Sequence, residues 1–267
     1  MQWETYDAFE RPEEWPGSRW EKADLGNGPL WDETTTTCCS SVPKHALMIR
    51  IPRFTLFRPP SHSKALMLST RRFEVAPGSS FGARCNLAVE IFGTERNPFG
   101  VEAGDPRLAC GGMVTIDVGT GVVLDFLVTN DHIFAVYERL PYAQRTMGSY
   151  PAFTHLIPAH IPTYRGQPHL FEIRYNALLD LAEWIVDGRQ VAHHAPIGAP
   201  WRQSHPIVKL SVLRIGGSLF TFMDGGLSNK GGWPEGTLPL PSLLADPNDE
   251  LFGQGGQLTF QDYQVAC

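Results

Sequence analysis

Charge is scarce in this chain. Asp, Glu, Lys and Arg make up 19% of the 267 residues, below the roughly 25% usual in soluble proteins. Lys and Arg (22) are outnumbered by Asp and Glu (28), for a formal charge of −6. No basic stripe offsets that balance, so nucleic acid is not expected as a partner. Long apolar runs are missing too: G-V-V-L-D-F-L-V falls far short of the ~18 to 20 residues of a membrane span, and no membrane partner is expected. The N-terminus, M-Q-W-E-T-Y-D-A-F-E, carries acids where a secretory leader would be basic and then apolar. There is no N-x-S/T sequon, and the expected location is cytoplasmic. Cysteines are few and odd in number: Cys38, Cys39, Cys85, Cys110 and Cys267, with no C-x-x-C pair. They read as free thiols.

Several signatures of chemistry are also missing. There is no G-x-x-x-x-G-K-[ST], no G-x-G-x-x-G after a strand and no H-E-x-x-H. The nine histidines show no i, i+4 helical spacing, and His193 and His194 point to opposite faces if they lie in a strand. Neither a nucleotide cofactor nor a metal is therefore expected. Asp105 and Asp262 have oxygens suited to calcium, but loop aspartates more often cap turns. Gly78-Ser79-Ser80-Phe81-Gly82 matches G-x-S-x-G in letters, yet a strand follows it rather than the helix that exposes a catalytic serine. It reads as a turn.

What is present is period-2 alternation broken by turn residues, with Gly 26 and Pro 22 in the chain. From Phe81 to Phe92, Phe81, Ala83, Cys85, Leu87, Val89 and Ile91 fall on one face. Similar runs occur at His45 to Ile51, Ala65 to Val75, Met113 to Val118, Leu170 to Tyr175, Val208 to Ile215, Leu219 to Met223 and Leu258 to Val265. The pattern predicts an all-β, single-domain antiparallel sandwich of a dozen or so strands over residues 1–267, with residues 1–44 an arm packed on it. Asn176 to Val186 also fits a helical face, but E-W-I-V-D-G-R-Q-V reads better as two strands around an Asp187-Gly188 turn. The longest irregular stretches are Trp31 to Lys44 and Gly225 to Pro247. Long irregular arms suit exchange between two copies, so a homodimer is one expected form.

The clearest hairpin runs from Val122 to Arg139 around Asn130-Asp131. A two-residue loop pairs Thr129 with His132, Leu127 with Phe134, Asp125 with Val136 and Val123 with Glu138. One face is then apolar, with Tyr137 and Arg139 at its end. The other mixes Asp125, Leu127, Thr129, His132, Phe134 and Glu138. Two carboxyls on one groove floor can act as acid and base; the plainer reading is a solvated sheet face. Tryptophans stand at positions 3, 15, 20, 31, 184, 201 and 233. Those near the N-terminus suit pinning the arm, whereas Trp31, Trp201 and Trp233 in irregular segments could stack on a ligand.

Y-D-A-F near the start, F-E-I-R-Y with E-W-I-V-D-G-R-Q-V, and the closing Q-L-T-F-Q-D-Y-Q-V together resemble a concanavalin-like jelly roll. Many proteins of that fold are glucanases with a Glu-x-Asp strand; no Glu here is followed two residues later by Asp. P-F-G-V-E-A-G-D-P-R-L-A, G-V-V-L-D-F-L-V-T-N-D-H-I-F-A-V-Y-E-R-L-P and E-L-F-G-Q-G resemble a family of microbial proteins of unassigned function, whose fungal relatives include the hetero-Diels–Alderases of tropolone-sesquiterpenoid biosynthesis. That resemblance implies a cofactor-independent cyclase of secondary metabolism, with dehydration to a quinone methide and cycloaddition to a terpene alkene. A hydrophobic small molecule would be the substrate. Asp125, His132 and Glu138 are the candidate acids and bases, with Tyr137 and Arg139 as donors if the strand end opens into a pocket. Phe134, Leu127, Trp31, Trp201 and Trp233 are the candidate contacts to substrate. An intracellular glycan-binding module and a partner-binding sandwich without a small ligand are the competing expectations.

Overall fold

A computed structural model describes residues 1–11, 15–24, 30–31, 36–39, 45–55, 64–140, 153–196, 209–223 and 251–267. Among these residues there are sixteen strands: β1 (Glu4–Asp7), β2 (Trp20–Lys22), β3 (Thr37–Cys39), β4 (Leu47–Ile51), β5 (Lys64–Ser69), β6 (Phe73–Glu74), β7 (Ser80–Phe92), β8 (Cys110–Asp117), β9 (Val122–Val128), β10 (Ile133–Arg139), β11 (Phe153–Pro158), β12 (Pro168–Asn176), β13 (Leu181–Val186), β14 (Arg189–His194), β15 (Val212–Phe220) and β16 (Gly255–Ala266). They form two antiparallel eight-stranded sheets. Sheet A runs β14-β13-β12-β7-β16-β4-β3, with β1 also on β16; sheet B runs β11-β10-β9-β8-β15-β5-β2, with β6 also on β15. This is a jelly-roll sandwich, the fold class that the alternation predicts.

Alternation fills the space between the sheets. Phe81, Ala83, Cys85, Leu87, Val89 and Ile91 of β7 face Val122, Leu124, Phe126 and Val128 of β9 in one continuous core. Phe126 meets Phe171 edge to face with centroids 4.9 Å apart. The N-terminal strands are woven into both sheets: β1 pairs with β16, β2 with β5 and β3 with β4. At the β16 bulge, between Gln261 and Gln264, Asp262 adopts φ 51. The bulge splits the strand's outer edge, so β4 pairs with residues 256–260 and β1 with residues 263–265.

Two expectations are changed, and the reading of two strands around Asp187-Gly188 holds. The strand count exceeds a dozen because the arm contributes β1 to β3. The helical alternative over Asn176 to Val186 gives way to β13, and Asp187 and Gly188 turn into β14 with φ 51 and φ 78, the two positive values a type I′ hairpin needs. The two runs on either side of Gly216-Gly217 are one strand, β15, and these glycines are sites of close approach. A Cβ on Gly217 would lie 1.9 Å from Phe260 Cζ, and one on Gly216 would lie 1.9 Å from the Met67 carbonyl oxygen. At G-S-S-F-G, Ser79 N–H closes a turn onto Ala76 O at 3.0 Å and Ser80 begins β7, so no nucleophile elbow forms.

Besides Trp20 Nε1–H on β2, which donates to Asp7 Oδ2 on β1 at 2.7 Å, two hydrogen bonds from fully buried aromatic residues join the sheets. Trp184 Nε1–H on β13 donates to Asp125 O on β9 at 2.9 Å, and Tyr263 Oη–H on β16 donates to Gly216 O on β15 at 2.9 Å. Both donor residues are fully buried. Tyr263→Phe keeps the ring but strands the Gly216 carbonyl, which should cost roughly 1–3 kcal/mol. Urea unfolding measures this, and a loss of only a few tenths would mean the bond contributes little.

Candidate functional site

The outer face of sheet B is where the hairpin's mixed residues gather. The β9–β10 register pairs Leu127 with Phe134, Asp125 with Val136 and Val123 with Glu138, the pairing that a two-residue loop dictates. β11 adds Leu156 opposite Val136 and Thr154 opposite Glu138. On the other side, β8 places Val114 beside Asp125, and β15 sets Gly216 opposite Val114, Ser218 opposite Gly112 and Phe220 opposite Cys110. Two apolar clusters cover most of this face. One gathers Cys110, Leu127 and Val136 with Phe134, Leu156, Phe220 and Phe222; the other gathers Ala23, Leu68, Val114, Ile116 and Val123 with Leu66.

Asp125 sits between these clusters and is 6% exposed. Burial pushes its carboxyl well above the usual carboxylate range; repulsion from Glu138 adds to this, and the Phe126 backbone N–H offsets a part. Glu138 is half-buried and accepts a hydrogen bond from Thr154 Oγ1 at 2.8 Å. Burial raises its pKa as well, while Thr154 and Lys64 pull it back. Cys110 is fully buried, and burial followed by repulsion from Asp125 holds its thiol protonated. Lys64 lies with its ammonium 5.8 Å from the centroid of Phe220.

Asp125, Glu138, Leu127 and Phe134 thus share the outer face of sheet B. His132 stands at its rim, half exposed, with Nδ1 3.0 Å from Asp131 Oδ1 and its ring stacked on Phe134 at 5.9 Å. Tyr137, Arg139 and Trp31 do not reach this face. Strand alternation turns Tyr137 into the core, where its ring meets Phe153 at 4.9 Å and His194 at 4.5 Å. Arg139 is 3% exposed, with Nε directed to Thr120 O at 3.4 Å. Trp31 bridges to Ala65, stacks on Trp15 at 4.7 Å and joins the core. The strand end therefore closes on packed side chains instead of opening into a pocket. Trp201 and Trp233 lie outside the described residues.

Gly112 and Ser218 belong to this face and were not legible as site residues. The signal was the glycines inside apolar runs, C-G-G-M and I-G-G-S-L, where a strand tolerates glycine only for close approach. Among the described residues no group of three or more His, Cys, Asp or Glu could hold a metal ion. No helix there is long and apolar enough to cross a membrane.

The model of one protein family matches residues 25–267, nine-tenths of the chain. The chain belongs to the Family of unknown function (DUF6081). Over 40 residues it is 52% identical to "Uncharacterized protein L829" of Acanthamoeba polyphaga mimivirus, a match spanning 15% of this chain and 9% of that protein. Among solved structures, β-agarase A in complex with oligoagarose is similar with a TM-score of 0.55 at 9% identity, over 99% of this chain and 92% of that one. A structure from work on endo-acting O-glycanases of the human gut microbiota has a TM-score of 0.53 at 10% identity, over 100% and 98%. β-agarase B from Zobellia galactanivorans has 0.52 at 10%, over 99% and 94%. These likenesses support the jelly-roll fold of this DUF6081 member.

Asp125 generates a pH prediction. Its pKa is raised in the folded state, so between the unfolded value of about 3.9 and the folded value the native protein holds more protons than the unfolded chain. Stability then falls as pH rises through that window, by up to about 1.4 kcal/mol for each pH unit the window spans. Asp125→Asn removes this dependence. The variant should gain stability over the parent as pH goes from 4 to 8 in urea unfolding; parallel curves would contradict the buried acid.

Proposed function

We propose that this DUF6081 protein is a cofactor-independent acid catalyst acting on an apolar, oxygen-bearing small molecule bound on the outer face of sheet B. One observation carries the reading: a nine-tenths buried carboxyl, Asp125, stands among apolar clusters next to a second carboxyl, Glu138. A carboxylic acid whose surroundings raise its pKa keeps its proton to higher pH and can give it to a bound substrate. Apolar walls exclude water and hold a hydrocarbon partner in a reactive pose.

The hetero-Diels–Alder resemblance fits this arrangement. Asp125 gives its proton to a benzylic-type hydroxyl on a tropolone-like ring, the C–O bond breaks and water leaves. Glu138 takes the ring hydroxyl proton, completing a neutral quinone methide. The alkene of a terpene such as humulene then adds across it with no net proton transfer. Proton exchange between Glu138 and Asp125 restores the starting state.

The second reading is a glycan-binding or glycan-cleaving module, favoured by the likeness in fold to the agarases. Its difficulty is the lining, because sugar hydroxyls set against Leu127, Val136, Phe220 and Phe222 would lose their hydrogen bonds to water. The test is to incubate the protein with a hydroxymethyl tropolone and humulene and follow the adduct by mass spectrometry. In parallel it is incubated with agarose, alginate and mucin O-glycans. Adduct formation should exceed the uncatalysed rate, and Asp125→Asn should lower it by about a hundredfold or more. Glycan cleavage or binding without adduct would reverse the order of the two readings.

A further inference from the structure

Sheet A carries a chain of three polar side chains that the carboxyl pair of sheet B does not use. His169, near the start of β12, pairs with Leu87 of β7 and shares its side of the strand with Phe171, Ile173 and Tyr175, so alternation turns its ring toward the core. The side chain is 3% exposed, and both ring nitrogens are engaged. Nδ1 lies 2.7 Å from Asp187 Oδ2, and Nε2 lies 3.1 Å from Thr163 Oγ1. An ionised carboxylate can only accept, so Nδ1 carries the ring proton and the bare Nε2 accepts a hydrogen bond from the Thr163 hydroxyl.

Backbone contacts hold each member in place. Asp187 opens the β13–β14 turn with φ 51. Its N–H donates to Leu170 O at 2.9 Å and its Oδ1 accepts the Leu170 N–H at 2.9 Å, which leaves Oδ2 for His169. Thr163 precedes a turn in which Gln167 N–H donates to Tyr164 O at 2.9 Å, and Gly166 N–H docks that turn on β7 by donating to Val89 O at 2.8 Å. The Phe171 ring meets the imidazole edge to face at 6.0 Å. The base and the acid behind it are shielded or tied down, whereas the hydroxyl can be reached. Thr163 is half-buried, and Pro162 before it and Tyr164, Arg165 and Gly166 after it are exposed.

A hydroxyl within hydrogen-bond reach of a base that a third group orients is the arrangement of an activated nucleophile. We propose that Thr163 is such a nucleophile, with His169 as its base and Asp187 as the positioning residue, and that it takes the acyl group of an unhindered ester. Thr163 Oγ attacks the ester carbonyl carbon while its proton passes to His169 Nε2. The ester C–O bond then breaks, the proton goes on to the departing alkoxide, and the acyl group stays on Thr163. Water deprotonated by the same nitrogen attacks the acyl carbon; release of the carboxylic acid returns the threonine hydroxyl. The site uses neither Asp125 nor Glu138 and is independent of the acid-catalyst reading.

The plainer role for the three residues, a tie between two turns, needs the same distances but no reactivity, and labelling separates the two. The full chain is treated with a fluorophosphonate, which phosphonylates activated hydroxyls and spares ordinary ones, and the adduct is located by peptide mass spectrometry. The parent should carry it on Thr163, and Thr163→Ser should keep it. The parent should also turn over p-nitrophenyl acetate about a hundredfold faster than Thr163→Ala. Asp187→Asn keeps an acceptor for the Leu170 N–H and tolerates the positive φ, yet it should slow labelling by about a hundredfold or more. No adduct on Thr163, equal ester turnover by Thr163→Ala, or labelling of Asp187→Asn at the parent's rate overturns the nucleophile. Should Asp187→Asn fail to fold, the adduct on the parent and on Thr163→Ser decides. None of these readouts involves a tropolone, so failure here leaves the acid-catalyst reading standing.

Discussion

The arrangement of the outer face of sheet B depends on two hydrogen bonds that cross the core behind it. Trp184 and Tyr263 belong to sheet A, yet their polar ends bind carbonyls of sheet B at Asp125 and Gly216. A large aromatic residue can occupy the centre of a sandwich only if its N–H or O–H finds a partner there. Here the partners are backbone oxygens on β9 and β15, two strands that build the outer face of sheet B. Packing the core and positioning the site are therefore one constraint: displacing Trp184 would disturb the strand carrying Asp125, and displacing Tyr263 the strand carrying Ser218.

The second constraint is glycine. A sheet of ordinary side chains would present an unbroken apolar surface between the clusters around Leu127 and Val114. Gly112 and Gly216 interrupt it, and on the inner side Gly217 lets Phe260 lie directly against β15. The same strand thus gives way to an aromatic ring at Gly217 and to the Met67 carbonyl at Gly216. On this face burial raises the pKa of Asp125, Glu138 and Cys110 and so favours their neutral forms.

How much of the fold and the site is legible in the sequence follows from what each signal depends on. The β9–β10 register was legible because side-chain alternation and a two-residue loop determine it locally, and so the sharing of a face by Asp125 and Glu138 was legible too. The same logic put Tyr137 on the opposite face; whether that end of the strand opened was a tertiary matter, decided by Phe153 and His194 packing on the ring. Trp31 stood in an irregular segment and so suggested a ligand platform, but its bridge to Ala65 and its stacking on Trp15 come from segments distant in sequence. Ser218 was hidden for a different reason. Its neighbours Gly216 and Gly217 mimic a turn, and a serine after a turn attracts no notice. Only the pairing of β15 with β8 sets that hydroxyl across a glycine from a buried acid.

Electrostatics and topology converge on the carboxyl pair. An acid and a base that share a face must differ in environment to hold different protonation states. Asp125 has an oxygen with no partner among the described residues, whereas Glu138 has a hydrogen bond from Thr154 and feels the positive charge of Lys64. Both influences on Glu138 favour its ionised form, and burial with the repulsion from Glu138 disfavours the ionised form of Asp125. Asp125 is therefore the more strongly raised of the two carboxyls, and Glu138, beside the β11 edge, the less. The proposed reaction uses that order: a proton out from Asp125 to a leaving oxygen, and one back to Glu138.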